Sequence, residues 1–147
     1  MKYLGIDFGL RKIGIASGDD ETHLAFPIGN IDGGAGAIAV IIEAAKREGA
    51  NEFVVGLPIP DVHQTESQLE LTKQFVRDLQ AASNIAVHVV DEQFSSAEAR
   101  RLQEKWKMEN GKSSDMPEDA LAATIILQAF LDGDRGLTIG SAQRREE

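Results

Sequence analysis

At three places, far apart along the chain, acids stand where an acid is costly. Asp7 closes the apolar run Tyr3-Leu4-Gly5-Ile6, which reads as a short strand. Asp91-Glu92 close a second apolar run, Ile85–Val90, and Asp119 opens a third apolar stretch that is helical in period. An ionised carboxylate in a buried sheet is unfavourable unless something pairs with it. The chain offers more carboxylates and no obvious buried base, so the partner is either the donors of a turn or a cation. Hard oxygen ligands of this kind suit magnesium or manganese. Two such ions about 4 Å apart would activate a water and stabilise the leaving oxygen in phosphodiester hydrolysis.

Each residue also has a plainer reading. Asp7 could accept turn amides as a structural acid, although Gly5 and Gly9 keep its surroundings open. Side chains alternate along a strand, so Asp91 and Glu92 cannot both face the same way, and one is a turn or cap residue. Asp119 could simply complement the helix macrodipole. Arg11 and Lys12, just past Asp7, are the candidates for touching a substrate phosphate, against a reading as solvated surface. Arg100, Arg101 and Lys105 with Trp106 and Lys107 form a basic cluster containing an aromatic, a pattern that suits nucleic acid or a solvated helix face. His88 alternates with apolar neighbours as a sheet-face residue. The glycines at 33, 34 and 36 are followed by no Lys-Ser or Lys-Thr pair of a phosphate loop.

The elements that must position these groups follow from periodicity. The first strand and Lys12–Ser17 form a hairpin around Gly9-Leu10-Arg11, and His23–Ile31 reads as a third strand, with Pro27 marking an edge or a bulge. A helix follows, with Ile38, Ile41, Ile42 and Ala45 on its apolar face and Gly49 as its stop. Glu52–Leu57 reads as a buried parallel strand. Thr65 and Gln68 form a capping box for a helix running to about Ala82, with Leu71, Phe75, Val76 and Leu79 inward. Ile85–Val90 is the next strand. Ser95 and Glu98 cap a charged helix, and Asp115 with Glu118 cap the last one, with Pro117 in its first turn and Gly133 at its end. Neighbouring early strands suit an antiparallel meander, and later strands separated by helices suit parallel pairing. The expectation is an α/β fold: a mixed five-stranded sheet, three antiparallel strands then two parallel, with helices on both faces. Parallel strands put sites beyond their carboxyl ends, where Asp7, the 91–92 pair and the start of the last helix could converge.

Composition sets the outer bounds. A chain of 147 residues with 42% hydrophobic content suits one domain, 1–137, followed by a polar tail, 138–147, expected to be mobile. The absence of cysteine excludes disulfides, thiolate zinc sites and cysteine nucleophiles. No apolar run approaches the roughly 20 residues of a membrane span, and the start shows no signal-peptide layout, so a cytoplasmic location is expected. The net charge of −9 opposes a broad electrostatic grip on nucleic acid, yet the carboxylates of a metal site contribute to that count.

Four stretches resemble the YqgF/RuvX family of Holliday junction resolvases, also described as pre-16S rRNA nucleases. They are Leu4–Gly9 with Lys12–Ala16, Val54–Pro58, Val90–Ser96 with Glu98–Arg100, and Asp119–Ala123 with Ile126–Gln128. They occur in family order over residues 1 to about 132. The resemblance implies a ribonuclease H-like fold and metal-dependent nuclease chemistry. It assigns Asp7, Glu92 and Asp119 as catalytic and metal-binding acids, with Mg2+ or Mn2+ as cofactor, and leaves Asp91 a supporting group. Arg11, Lys12 and Arg100 are the substrate-binding candidates. The loop Ile59–Gln64 and the segment Met116-Pro117-Glu118 depart from the family pattern where substrate would lie. The expected function is cleavage of structured nucleic acid, either 5′ processing of pre-16S rRNA or junction resolution, by a monomer or homodimer away from membranes. The alternatives are a nucleic-acid or protein binding module that keeps the fold, and an ATP-binding phosphotransferase-like module, for which a second lobe is missing.

Overall fold

In the computed structural model, residues 1–58, 66–92, 101, 104–105, 107–109, 116–133 and 137–139 are described, with Glu66, Glu92, Leu137 and Ile139 described in backbone only. The elements run β1 (Lys2–Asp7), β2 (Lys12–Asp19), β3 (Leu24–Asp32), α1 (Ala37–Glu48), β4 (Glu52–Pro58), α2 (Glu66–Ser83), β5 (Val87–Glu92), α3 (Glu118–Leu131) and β6 (Leu137–Ile139). The sheet order is β3-β2-β1-β4-β5-β6. Strands β1, β2 and β3 pair antiparallel, and β1–β4 and β4–β5 pair parallel, as the meander-then-crossover pattern requires. A sixth strand, antiparallel to β5, extends this arrangement. Thr138 and Ile139, in the stretch read from sequence as a polar tail, pair with His88 and Val87. A three-residue strand is too short to show alternation, so periodicity alone misses it.

The two-residue period of the strands sorts the core into two layers. Leu4, Ile6, Ile13, Ile15, Phe53, Val55, Val87 and Val89 pack with Ile41 of α1 and with Phe75, Val76 and Leu79 of α2. On the opposite face Tyr3, Ala16, Val54 and Val90 pack with Ala123, Ile126, Leu127 and Phe130 of α3. Nine of the fourteen residues of α3 are buried, so it is a core helix without a wide polar face. It can lie low on the sheet because small residues pave its bed. A β-carbon at Gly5 would stand 2.7 Å from the Leu127 β-carbon, and one at Gly56 would stand 2.6 Å from the Ile126 δ-carbon.

Local expectations hold in most places. β3 is an edge strand, and its pairing slips by one residue opposite Ile15 and Ala16, beside Pro27. Gly49 caps α1 with φ 70°. Leu71, expected inward, is 43% exposed. The buried stripe of α2 is instead Thr72, Phe75, Val76 and Leu79, an i, i+3, i+4, i+7 set. Thr72 tolerates burial because its hydroxyl donates to the Gln68 carbonyl, 2.9 Å away. Pro117 is the N-cap of α3 and lies outside its first turn. Asp91 and Glu92 are the last residues of β5, where they extend the ladder to Leu57 and Pro58. Thr65, Ser95, Glu98 and Asp115, the expected caps, lie outside the described residues.

Candidate active site

β1 ends at Asp7, which is opposite Gly14 of β2. By strand parity Asp7 belongs with Tyr3 and Gly5, the face covered by α3. Gly14 shares that face, and it is where the helix touches down. A β-carbon at position 14 would lie 1.8 Å from the Asp119 carbonyl oxygen and 2.9 Å from the Ala120 nitrogen. The first turn of α3 thus rests on the strand partner of Asp7, and glycine is the residue that admits it. Asp7 and Asp119 are both partly buried. Glu118 precedes Asp119 in the same turn and is exposed. The N-cap Pro117 makes no side-chain cap, so two acids complement the helix N-terminus in its place.

The third expected acid is reached along the sheet. Gly56 pairs with Val90, and Pro58 pairs with Glu92, at the carboxyl end of the two parallel strands. Position 92 has the parity of His88 and Val90, whose side chains pack on the α3 face. Position 91 has the parity of Val87 and Val89, on the face of α1 and α2. The Glu92 side chain lies outside the described residues, and among those described no three His, Asp or Glu groups form a cluster able to hold a metal. The chemistry of the donors nonetheless fits a hard cation: two partly buried carboxylates brought to one sheet edge, with a third acid at the end of the next parallel strand but one.

The basic candidates are placed unequally. Lys12 is exposed, and its ammonium is paired 2.5 Å from Asp32, the residue opposite it on β3. That contact holds the Asp32 carboxyl below its usual value of 3.8. Sequence reasoning did not mark Asp32, although once β2 and β3 are aligned as a hairpin the two positions face each other. Arg11 is exposed in the β1–β2 turn, where its carbonyl accepts the Gly33 N–H at 2.9 Å. Arg100 lies outside the described residues, while Arg101, Lys105 and Lys107 are exposed on helical backbone.

His88 is more than a sheet-face residue. It is 8% exposed, with Nε2 2.5 Å from Glu52 Oε1 and Nδ1 2.7 Å from Thr138 Oγ1. Its ring lies 4.7 Å from that of Phe130 and 5.9 Å from that of Tyr3. Through these side chains the group links β4, β5 and β6.

Comparison with known proteins bears on the fold and the family. The family model described as "RuvX: Holliday junction resolvase" matches residues 1–133. A "Putative pre-16S rRNA nuclease" of Francisella tularensis subsp. novicida is 33% identical over 134 residues, spanning 87% of this chain and 94% of that protein. A protein of the same description from Neisseria gonorrhoeae is 34% identical over 132 residues, spanning 88% and 87%. Among solved structures, Thermus thermophilus RuvC in complex with a Holliday junction superposes with a TM-score of 0.59 at 17% identity, over 89% of this chain and 94% of that one. The Fowlpox virus resolvase bound to Holliday junction DNA gives 0.57 at 12% identity, over 90% and 97%. The fold is therefore ribonuclease H-like, and the chain belongs to the RuvX family.

Proposed function

We propose that this protein is a metal-dependent nuclease that hydrolyses phosphodiester bonds in structured nucleic acid. The observation that carries the reading is the seating of the Asp119 turn on Gly14, the strand partner of Asp7. It brings together two acids more than a hundred residues apart, at the sheet edge where parallel strands place their sites. Support also comes from the printed names, "Putative pre-16S rRNA nuclease" for the relatives and "Holliday junction resolvase" for the family.

Asp7, Glu92 and Asp119 would hold one or two Mg2+ or Mn2+ ions, which supply Lewis-acid activation of a water and neutralise charge on the phosphate. The chain's own contribution is position. Asp7 is fixed by the β1–β2 ladder, Asp119 by the first turn of a buried helix, and Glu92 by its pairing with Pro58. Ligands carried on rigid elements would need little reorganisation during reaction. Arg11, Lys12 and Arg100 would meet phosphates flanking the cut. Pairing with Asp32 reduces what Lys12 offers, and with a net charge of −9 it favours a second reading: a binding module that keeps the fold and cleaves weakly.

Cleavage of a labelled four-way DNA junction and of a precursor-rRNA 5′ segment, with manganese, magnesium or chelator, tests the proposal. Cutting that requires metal and disappears in Asp7→Asn is expected, and the substrate that is cut identifies the biological role. Intact substrates in the presence of folded, manganese-binding protein would move the assignment to the binding module.

A further inference from the structure

The sheet edge that carries Asp7 also carries a cavity on its other side. It lies between the β1–β2 turn and the first turns of α2, measures about 160 Å3, and is lined by Phe8, Leu10, Pro58, Gln68, Leu71 and Thr72. Its walls are unusual for a surface hollow. Leu10 is 60% exposed and Leu71 is 43% exposed, so two large aliphatic side chains stand uncovered at one opening. Phe8 is braced from behind by Phe75, with ring centroids 4.5 Å apart and planes 26° apart. Most of the lining open to solvent is nevertheless polar, and Phe8, Leu10 and Leu71 supply its apolar part. The Gln68 side chain makes no hydrogen bond among the described residues, and the Thr72 hydroxyl, donating to the Gln68 carbonyl, retains acceptor capacity. The volume is well below the roughly 300–1,000 Å3 that whole small molecules occupy. One planar ring with polar edges fits that volume and lining, and a whole nucleotide does not.

The position relates the cavity to the acids. Asp7 and Phe8 are consecutive, and alternation sends them to opposite faces of the sheet. Pro58, on the cavity wall, pairs with Glu92. A nucleic-acid strand crossing the ends of β1 and β4 would keep its phosphate on the α3 side and have this hollow within reach on the α2 side. We propose that the cavity receives one unpaired nucleobase, from a nucleotide next to the phosphate presented to Asp7 and Asp119. The base packs against Phe8, Leu10 and Leu71, and its edge meets Gln68 and Thr72. This assignment rests on the nuclease reading and adds to it a requirement for an unpaired nucleotide at the cut, because a paired base is held in its stack and cannot enter.

The test is an abasic scan by binding. A labelled oligonucleotide with paired and unpaired segments, in RNA and DNA versions, is titrated with the Asp7→Asn chain while each unpaired base in turn is deleted. One position is expected to matter, weakening binding about 5- to 150-fold, the range measured for a base stacked on a protein side chain. Leu71→Trp, added to the Asp7→Asn chain, fills the hollow from an exposed helix position. It is expected to weaken binding of the intact strand by a similar factor and to erase sensitivity to the abasic position, the signature of coupled sites. Uniform affinity across the scan, or full abasic sensitivity surviving in Leu71→Trp, overturns the base site while leaving the nuclease reading standing. Failure of the Asp7→Asn chain to bind either nucleic acid overturns both.

Discussion

Replacing Gly14 by alanine tests whether the α3 turn is positioned as the geometry requires. The added carbon would stand 1.8 Å from the Asp119 carbonyl oxygen and 2.2 Å from its carbon, both backbone atoms of a buried helix. Ordinary contact begins near 3.4 Å, so the first turn of α3 must lift by about 1.6 Å or β2 must sink by as much. Overpacking of this kind costs about 1–3 kcal/mol. At about 2–4 °C per kcal/mol for a chain of this size, Tm should fall by roughly 2–12 °C. The loss of activity should be larger in proportion, since a displacement of about 1 Å in a reacting group costs on the order of 100-fold in rate. The assay is metal-dependent cleavage well below both melting temperatures, so that only folded protein is compared. Gly18→Ala is the control. Its β-carbon would meet the Leu24 carbonyl oxygen at 2.6 Å, a comparable clash at the far end of β2, opposite Tyr3. It should destabilise the protein and leave cleavage per folded molecule intact. Parental cleavage by folded Gly14→Ala, or equal loss in both variants, would refute the claim that this contact places the acids.

Three further outcomes follow from the pairings around the sheet. Asp32→Asn releases Lys12 and should tighten nucleic-acid binding and steepen its log–log salt dependence by about 0.7–0.9, one phosphate contact; an unchanged slope measured by fluorescence anisotropy would remove Lys12 from the interface. His88→Phe deletes the hydrogen bonds to Glu52 and Thr138 and should lower stability by about 1–3 kcal/mol in urea unfolding, with faster amide exchange in β6, whereas an unchanged midpoint would mean that the clasp is idle. Asp20 accepts from the N-terminal ammonium and from the Tyr3 hydroxyl. The ammonium contact holds the Asp20 carboxyl below 3.8, and Asp20 in turn holds the amine above 8.0. The carboxylate contribution is present above pH 3.8 and is lost as pH falls through the lowered native value; the amine contribution is present below pH 8.0 and is lost as pH rises through the raised one. Stability against urea should therefore decline at both extremes, and Asp20→Asn should flatten both limbs; limbs that stay as steep in the variant would assign them to other groups.

Much of this protein was legible in its sequence because the relevant physics is local. Alternation fixed which residues of β1, β2, β4 and β5 form the core, and the apolar run around Asp7 marked it as an acid in need of a partner. The meander followed by crossovers came from spacing alone, and four motifs in order pointed to the family. Tertiary structure decided what depends on residues distant in sequence. Gly14 looks like any strand glycine until the Asp119 turn is laid on it, and Lys12 looks like a free cation until β3 brings Asp32 opposite. Thr72 displaces Leu71 from the core because its hydroxyl is satisfied within α2, which leaves the leucine at the rim of a cavity. Strand β6 exists because an open edge of β5 and the buried His88 give three residues a partner that their own sequence does not announce. Periodicity reports which way a side chain faces, and only the packed chain sets what it meets there.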